Sequence, residues 1–202
     1  MLRVDLHLHS DYSHDGRSSL QQLVDRAREC GLDRLALTDH NAFDGAAQFV
    51  RLAPELAIAG EEAKTLEGEV IGLFITNRVQ PFMRAEDAMD AIHGMGGLVY
   101  IPHPVDRHRS HFLAERLVTL ADRIDILETY NPWCDAATNQ AAARLAEELG
   151  KVAATGSDAH SAQELGLSWM EIDEYSGPED FLEKLRFARH VVTASSGTGR
   201  RA

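Results

Sequence analysis

The chain has 202 residues, 44% hydrophobic and 26% charged, proportions that suit one ordinary globular domain with a single core and exclude a disordered or fibrous chain. A formal net charge of -12 argues against a long groove tracking a nucleic-acid backbone, because such grooves rely on clustered Lys and Arg. Cys30 and Cys134 are far apart with no CxxC, which leaves both as packing residues in a reducing compartment; no apolar run approaches the ~20 residues of a membrane span, and MLRVDLHLHS lacks secretory character, so a cytoplasmic location is expected.

In chain order, β-forming segments alternate with segments of helical period. Strands are expected at 2–6, 34–37, 56–59, 70–75, 98–101, 124–127, 152–154 and 168–172. Between the first two, SSLQQLVDRAREC places Leu20, Leu23, Val24 and Ala27 on one helical face and opens with Ser18 and Gln21 in capping-box spacing. AEDAMDAIHGM, HFLAERLVTLAD and DAATNQAAARLAEEL have the same helical period. This βαβα order builds a parallel sheet or barrel over residues 1–193, while the polar tail 194–202, SSGTGRRA with the Ala before it, is expected to be disordered.

The polar residues fall at strand ends. His7 and His9 close the first strand and Thr38, Asp39 and His40 the second. Glu61 and Glu62 follow the third, His103 the fifth, Glu128 the sixth, and Asp158 and His160 the seventh. In a closed parallel barrel all these ends meet at one face. His7 and His9 are one residue apart, so on a strand both imidazoles project from one side and can grip one ion, with Asp5 on the same face to orient an imidazole. Among 10 histidines an HxH pair is weak evidence alone, and its position before a Ser-rich loop is what raises it. His40 taken alone fits a hydrogen-bonded core histidine equally well. His103, pinned between prolines in IPHP, sits in an unusual place for a structural histidine. Asp158 and His160 in GSDAH form a second spaced pair, beside the first once the barrel closes.

The motifs DLHLHS, SHDG, ALTDHN, GEE, IPHP and GSDAH, in this order, resemble the PHP (polymerase and histidinol phosphatase) family over nearly the whole chain. The resemblance implies an α/β fold, a distorted (β/α)7 TIM-like barrel, with phosphoesterase activity and two or three divalent ions. Carried over residue by residue, it makes His7, His9, Glu62 and Asp158 ligands of one metal. Glu62 then bridges to a second metal held by His103, and Asp15, His40 and His160 hold a third. Glu62 is preferred to Glu61 as the third residue of GEE, leaving Glu61 a solvated neighbour. Asp15 competes with the adjacent His14. The family often supplies the second metal with a further histidine near the strand that here reads GEVIGLFI, and none stands there, so Glu128, water or substrate is left to complete it.

Imidazole and carboxylate ligands without sulfur suit Zn, Mn or Fe better than Ca. Such ions acidify a water for in-line attack on phosphorus, and His40 or His160 can protonate the leaving oxygen. Arg107 and Arg109, in PVDRHRS directly after His103, are the candidates for gripping substrate phosphate, against the alternative of a solvent-facing loop. The expected partner is a small phosphorylated metabolite, nucleotide or short oligonucleotide, with oligomeric state left open. Two rivals remain. An amidohydrolase-type barrel also begins with HxH, but commonly needs a bridging lysine at a middle strand end, and neither Lys64 nor Lys151 falls at such a place. A non-catalytic metal-binding barrel would need no surplus of ligands.

Overall fold

The computed structural model describes residues 1–193; the tail expected to be disordered lies outside the described residues. Nine strands form one sheet: β1 (Leu2–Leu8), β2 (Arg34–Leu37), β3 (Ala57–Lys64), β4 (Glu69–Leu73), β5 (Leu98–Ile101), β6 (Ile126–Tyr130), β7 (Val152–Thr155), β8 (Ser168–Ile172) and β9 (Arg189–Val192). Their spatial order is β7-β6-β5-β4-β3-β2-β1-β8-β9. The helices are α1 (Leu20–Cys30), α2 (Asp44–Leu52), α3 (Ala85–Gly94), α4 (Ala114–Thr119), α5 (Ala136–Leu149) and α6 (Gly177–Leu185). None of them is long and apolar enough to cross a membrane.

The sheet curls into a nearly closed barrel, but it is not all parallel as expected. β1, β2 and β3 are parallel neighbours, as are β5, β6 and β7. β4 runs against both β3 and β5, joined to β3 by a tight hairpin instead of a crossover helix. β8 runs against β1, and β9 against β8. The antiparallel β4 places its first residue, not its last, at the end of the barrel where β1, β2 and β3 finish.

The barrel interior is filled by Val4, Leu6, Ile58, Ile71, Tyr100, Ile126 and Met170, and Phe181 and Leu185 of α6 pack into the same cluster. Phe74, just after β4, packs edge-on against Phe181 with ring centroids 5.1 Å apart. The far end is thus plugged with apolar side chains, and polar groups concentrate at the other. Helices α1 and α2 cover one outer flank through Leu23, Val24 and Phe49, and α3 covers another through Met89 and Ile92.

Two helices and a strand escape the sequence reading: α2, whose N-terminal residue Phe43 gives no side-chain cap; α6, opened by Gly177 and Pro178; and β9. The capping box of α1 is Ser19 with Gln22, not Ser18 with Gln21. Ser18 is buried and its Oγ instead accepts from Ala162 N at 2.8 Å, so the helix starts one residue later on the next S-x-x-Q pair. Glu61 and Glu62 lie inside β3, not after it, because the hairpin to β4 extends the strand to Lys64.

Closure happens at the polar end. β7 has no ladder with β8, but the segment after it zips onto the end of β1: Asp158 N donates to His7 O at 2.7 Å and His9 N to Ala159 O at 2.8 Å. Ser157 N donates to Asp5 Oδ1 at 2.8 Å, and the Thr155 and Ser168 hydroxyls bond to each other across the gap. Gly156 permits this approach, since a Cβ there would lie 2.4 Å from His7 Cβ and 2.6 Å from His7 N. Gly156→Ala is therefore expected to destabilise the chain by about 1–3 kcal/mol, the usual range for overpacking, read as a lower midpoint in denaturant unfolding.

Candidate metal centre

Glu62 is at the middle of the polar end and is wholly buried. Its Oε2 lies 3.3 Å from His7 Nε2, 3.4 Å from His9 Nε2 and 3.3 Å from His40 Nδ1, while its Oε1 lies 3.3 Å from His103 Nε2. Asp158 Oδ1 completes the group, 3.5 Å from His7 Nε2 and 3.4 Å from His9 Nε2, and those two ring nitrogens are 3.2 Å apart. A tetrahedral ion with bonds near 2.0–2.1 Å separates its donors by about 3.4 Å. His7 Nε2 and His9 Nε2 stand at that spacing from each other, from Glu62 Oε2 and from Asp158 Oδ1.

The ring tautomers agree. His7 Nδ1 is 3.0 Å from Glu128 Oε1, and an ionised carboxylate only accepts, so this nitrogen carries the proton and Nε2 presents its lone pair inward. His160 Nδ1 likewise faces Asp158 O at 3.0 Å, and His9 Nδ1 faces Ser13 Oγ at 3.4 Å. His7 Nε2 presents a lone pair to His9 Nε2 at 3.2 Å, so either His9 carries its hydrogen there or a cation stands between the two rings. The residues therefore fit the ion the resemblance implies, with carboxylate and backbone groups fixing the rings from behind.

Burial alone would lower the pKa of His7, but Asp158, Glu128 and Glu62 outweigh it and raise it well above the ordinary value. The same contest, with Glu62 and Asp15 winning over burial, lifts His40 to about 9. His9 goes the other way, to about 4, because burial dominates and His40 and His7 repel its charge. Glu62 is held well below the carboxylate range: burial opposes this, and the imidazoles of His40 and His7 overcome it.

The sequence-derived residues His7, His9, Asp15, His40, Glu62, His103, Asp158 and His160 all converge here. Four overlapping groups could each hold an ion: His7, His9 and Asp158; His7, Glu62 and His103; His9, His40 and His160; and His40, Glu62 and Glu69. Asp15 joins the third, with Oδ2 3.1 Å from His160 Nε2 and 3.5 Å from His40 Nε2, whereas His14 is exposed at the rim. His103 and Asp158 have φ of 30° and 49°, and Asn41, beside His40, has 53°. Such backbone is costly for residues with a Cβ, and its concentration here marks a constrained site. Glu128 accepts from His103 N at 2.8 Å, which steadies one of these turns.

Several roles differ from the sequence reading. Glu128 is not a spare ligand: it accepts from Tyr100 OH at 2.8 Å and Asn131 Nδ2 at 3.0 Å and supports His7 from behind. Asp5 bonds the backbone nitrogens of Ser157 and His7, so it braces the barrel closure instead of orienting an imidazole. Glu61 is wholly buried, not solvated; its Oε2 accepts from Val79 N at 2.9 Å and pins the segment after β4. Cys134 lines the cavity, its thiol 3.5 Å from Asp106 Oδ2. Arg109 lines the cavity too, but an Nη donates to Asp158 and its Nε lies 3.5 Å from Asp106 Oδ2. Arg107 is exposed and outside the cavity lining.

The reading also missed residues. Asn131 Nδ2 ties Glu128 to Asp158, and Trp133, whose Nε1 donates to Ser157 O at 3.0 Å, walls the cavity. Asn131 directly follows β6, but the sequence reading ended that strand at 127, and Trp133 lies beyond any strand end. Glu69, first residue of β4, lies 4.0 Å from His103 Nε2. The cavity over the centre measures about 570 Å³, is open to solvent and is bordered by His40, Glu69, His103, Arg109, Trp133 and His160. That volume is in the usual range for small-molecule sites.

Fold and site together define an α/β barrel with a histidine- and carboxylate-rich end whose side chains could hold metal ions. The PHP domain profile matches residues 5–120 and the PHP-associated profile residues 136–189, and the chain belongs to the PHP domain family. An uncharacterised protein of Methanocaldococcus jannaschii is 32% identical over 200 residues, covering 92% of this chain and 79% of its own. Among solved structures, a two-domain Bacteroides vulgatus protein containing a predicted PHP-like metal-dependent phosphoesterase superposes with TM-score 0.77 at 18% identity, over 95% of this chain and 64% of that one. PsfC from Pseudomonas syringae PB-5123 superposes with TM-score 0.72 at 20% identity, over 96% and 93%. These two likenesses establish the barrel fold.

Two outcomes are expected. A ligating imidazole is neutral, so protons compete with divalent ions for His7 and His40, and metal affinity should rise with pH toward about 9, with proton release on binding; calorimetric titration in buffers of different ionisation enthalpy measures both. Glu128→Ala, which removes no ligand, should weaken the tightest metal equivalent by about 10- to 100-fold through loss of ring orientation, measured by chelator competition.

Proposed function

We propose that this chain is a metal-dependent phosphoesterase that hydrolyses a small phosphorylated metabolite, a nucleotide or a short oligonucleotide. The observation that carries the reading is the shared carboxylate of Glu62, which faces His7, His9 and His40 with one oxygen and His103 with the other. This arrangement suits adjacent ions, and paired ions are a standard device for displacement at phosphorus. Bound Zn, Mn or Fe ions would polarise the phosphoryl group and lower the pKa of the attacking water.

The chain's own residues do the rest. Arg109 has five N–H donors, and Asp158 and Asp106 engage only part of this set, leaving donors for the non-bridging oxygens of a phosphoryl group in the cavity. Trp133 and Thr138 also line the cavity and offer a wall for the remainder of the substrate. His40 and His160 reach the cavity and serve one of two roles at a time. A ring ligating through Nε2 carries no proton there, so either can protonate the leaving oxygen only when the third metal position is not filled through it. The amidohydrolase reading is not favoured. Lys64 does line the cavity, as the last residue of β3, but it is exposed, and the buried bridging place is taken by Glu62.

The test measures metal content and hydrolysis side by side for the wild type, His7→Ala, Arg107→Ala and Arg109→Ala, over phosphomonoesters, nucleotides and short oligonucleotides with Mn and Zn. His7→Ala should lose metal and activity together. Arg109→Ala should keep more metal than His7→Ala and lose about ten- to a hundred-fold in kcat/KM, while Arg107→Ala should match the wild type. A metal-loaded wild type that cleaves nothing in this panel overturns the reading in favour of a non-catalytic barrel.

A further inference from the structure

Glu69 opens β4 directly opposite Lys64, the last residue of β3, in the antiparallel ladder, and Glu62 pairs with Ile71 two positions along. Residues directly opposite, and residues two apart, share a sheet face, so Glu69 projects from the same face as Glu62. The hairpin tip between them is tight, with Thr65 N donating to Gly68 O at 2.8 Å. A Cβ on Gly68 would meet the buried Phe112 ring at 2.6 Å, so the missing side chain lets the tip dock on the loop that carries His103 and Arg109.

The Glu69 side chain is only 13% exposed and its carboxylate accepts no hydrogen bond from the described residues. It lies 4.0 Å from His103 Nε2, and its ligand atom is within 4.8 Å of those of Glu62 and His40. A nearly buried carboxylate beside a second carboxylate, without donors of its own, is unfavourable when ionised unless a cation stands between them, and without one it is pushed toward the protonated form. The Glu62 Oε1 atom turned toward this space is also buried and without a hydrogen bond.

We infer that Glu69 is a direct ligand of the second metal position, which it shares with Glu62 and His103, and that it makes this position oxygen-rich and shifts its preference toward Mn2+ relative to the first position. The inference rests on the metal-centre reading above and specifies a donor and a preference that the resemblance did not supply. The first position, with the imidazoles of His7 and His9 each 3.3–3.5 Å from an oxygen of Glu62 and of Asp158, suits Zn2+. The second has one imidazole, two carboxylates and an open side on the cavity, a set that suits a harder ion of higher coordination number. One centre would then hold two kinds of ion.

The experiment titrates the metal-stripped full chain with Mn2+, following free Mn2+ by its electron paramagnetic resonance signal, and repeats the titration with Zn2+ by calorimetry. It compares the wild type with Glu69→Gln and Glu69→His, and far-ultraviolet circular dichroism and unfolding midpoints in chelator check that each variant folds. Glu69→Gln should weaken the second Mn2+ equivalent by about ten-fold or more and leave the tightest equivalent within about two-fold of wild type. Glu69→His should restore a second equivalent with its preference moved to Zn2+. Unchanged Mn2+ binding in Glu69→Gln, or equal weakening of every equivalent in both variants, overturns the inference. If Glu69→Gln does not fold, Glu69→His decides alone: a wild-type order of preference between the two ions sinks the proposal. Failure of the phosphoesterase reading looks different, as wild-type protein that binds both ions in the expected order but hydrolyses no phosphoester.

Discussion

Four imidazoles stand within 3.3–3.4 Å of the one buried carboxylate of Glu62, and most of the polar end of the barrel is arranged around that fact. A carboxylate in a dry interior is costly unless positive charge surrounds it, and imidazoles with inward lone pairs are costly unless a cation is among them. Neither set is stable alone. Together they form a cavity whose most favourable contents are cations, and whose electrostatics lift His7 and His40 toward protonation while holding Glu62 ionised. Protons and metal ions therefore compete for the same nitrogens.

The rest of the fold holds this arrangement against its own repulsion. Glu128, inside β6, takes the outer nitrogen of His7, the hydroxyl of Tyr100, the backbone of His103 and the amide of Asn131, so four parts of the chain depend on one carboxylate. Positive φ at His103 and Asp158 is sustained because Glu128 accepts from His103 N, and His7 O from Asp158 N. The apolar plug at the far end, with Phe181 packed against Phe74 and Tyr175, supplies burial that offsets polar crowding at the near end. Stability and chemistry are segregated along the barrel axis.

The antiparallel β4 changes the character of the centre. In an uninterrupted parallel barrel, the first residue of a strand lies at the face away from the chemistry. Because β4 returns through a hairpin, its first residue, Glu69, arrives beside Glu62 and His103, and Lys64 is carried to the rim with it. The cavity consequently gains a carboxylate oxygen next to His103 that an all-parallel barrel would not place there.

The sequence by itself determined the chemistry of the site: ligand-type residues placed after short apolar strands, the two spaced pairs His7/His9 and Asp158/His160, and the alternation of periods that makes an α/β barrel. These are local signals, since strand parity and hydrophobic period act over a few residues. Glu62 was separated from Glu61 only by the family resemblance, and the chain alone could not show that Glu61 is buried against the backbone of Val79. Only the tertiary structure decided the direction of β4, the seating of Arg109 on Asp158, and the placing of Glu128 behind His7 instead of on a metal. Each of these depends on which strands become neighbours and on which buried charge meets which, a balance struck across as many as 121 residues of chain, as between His7 and Glu128. No window of sequence contains both sides of such a contact, so residue types could be read from the chain while their partners had to wait for the fold.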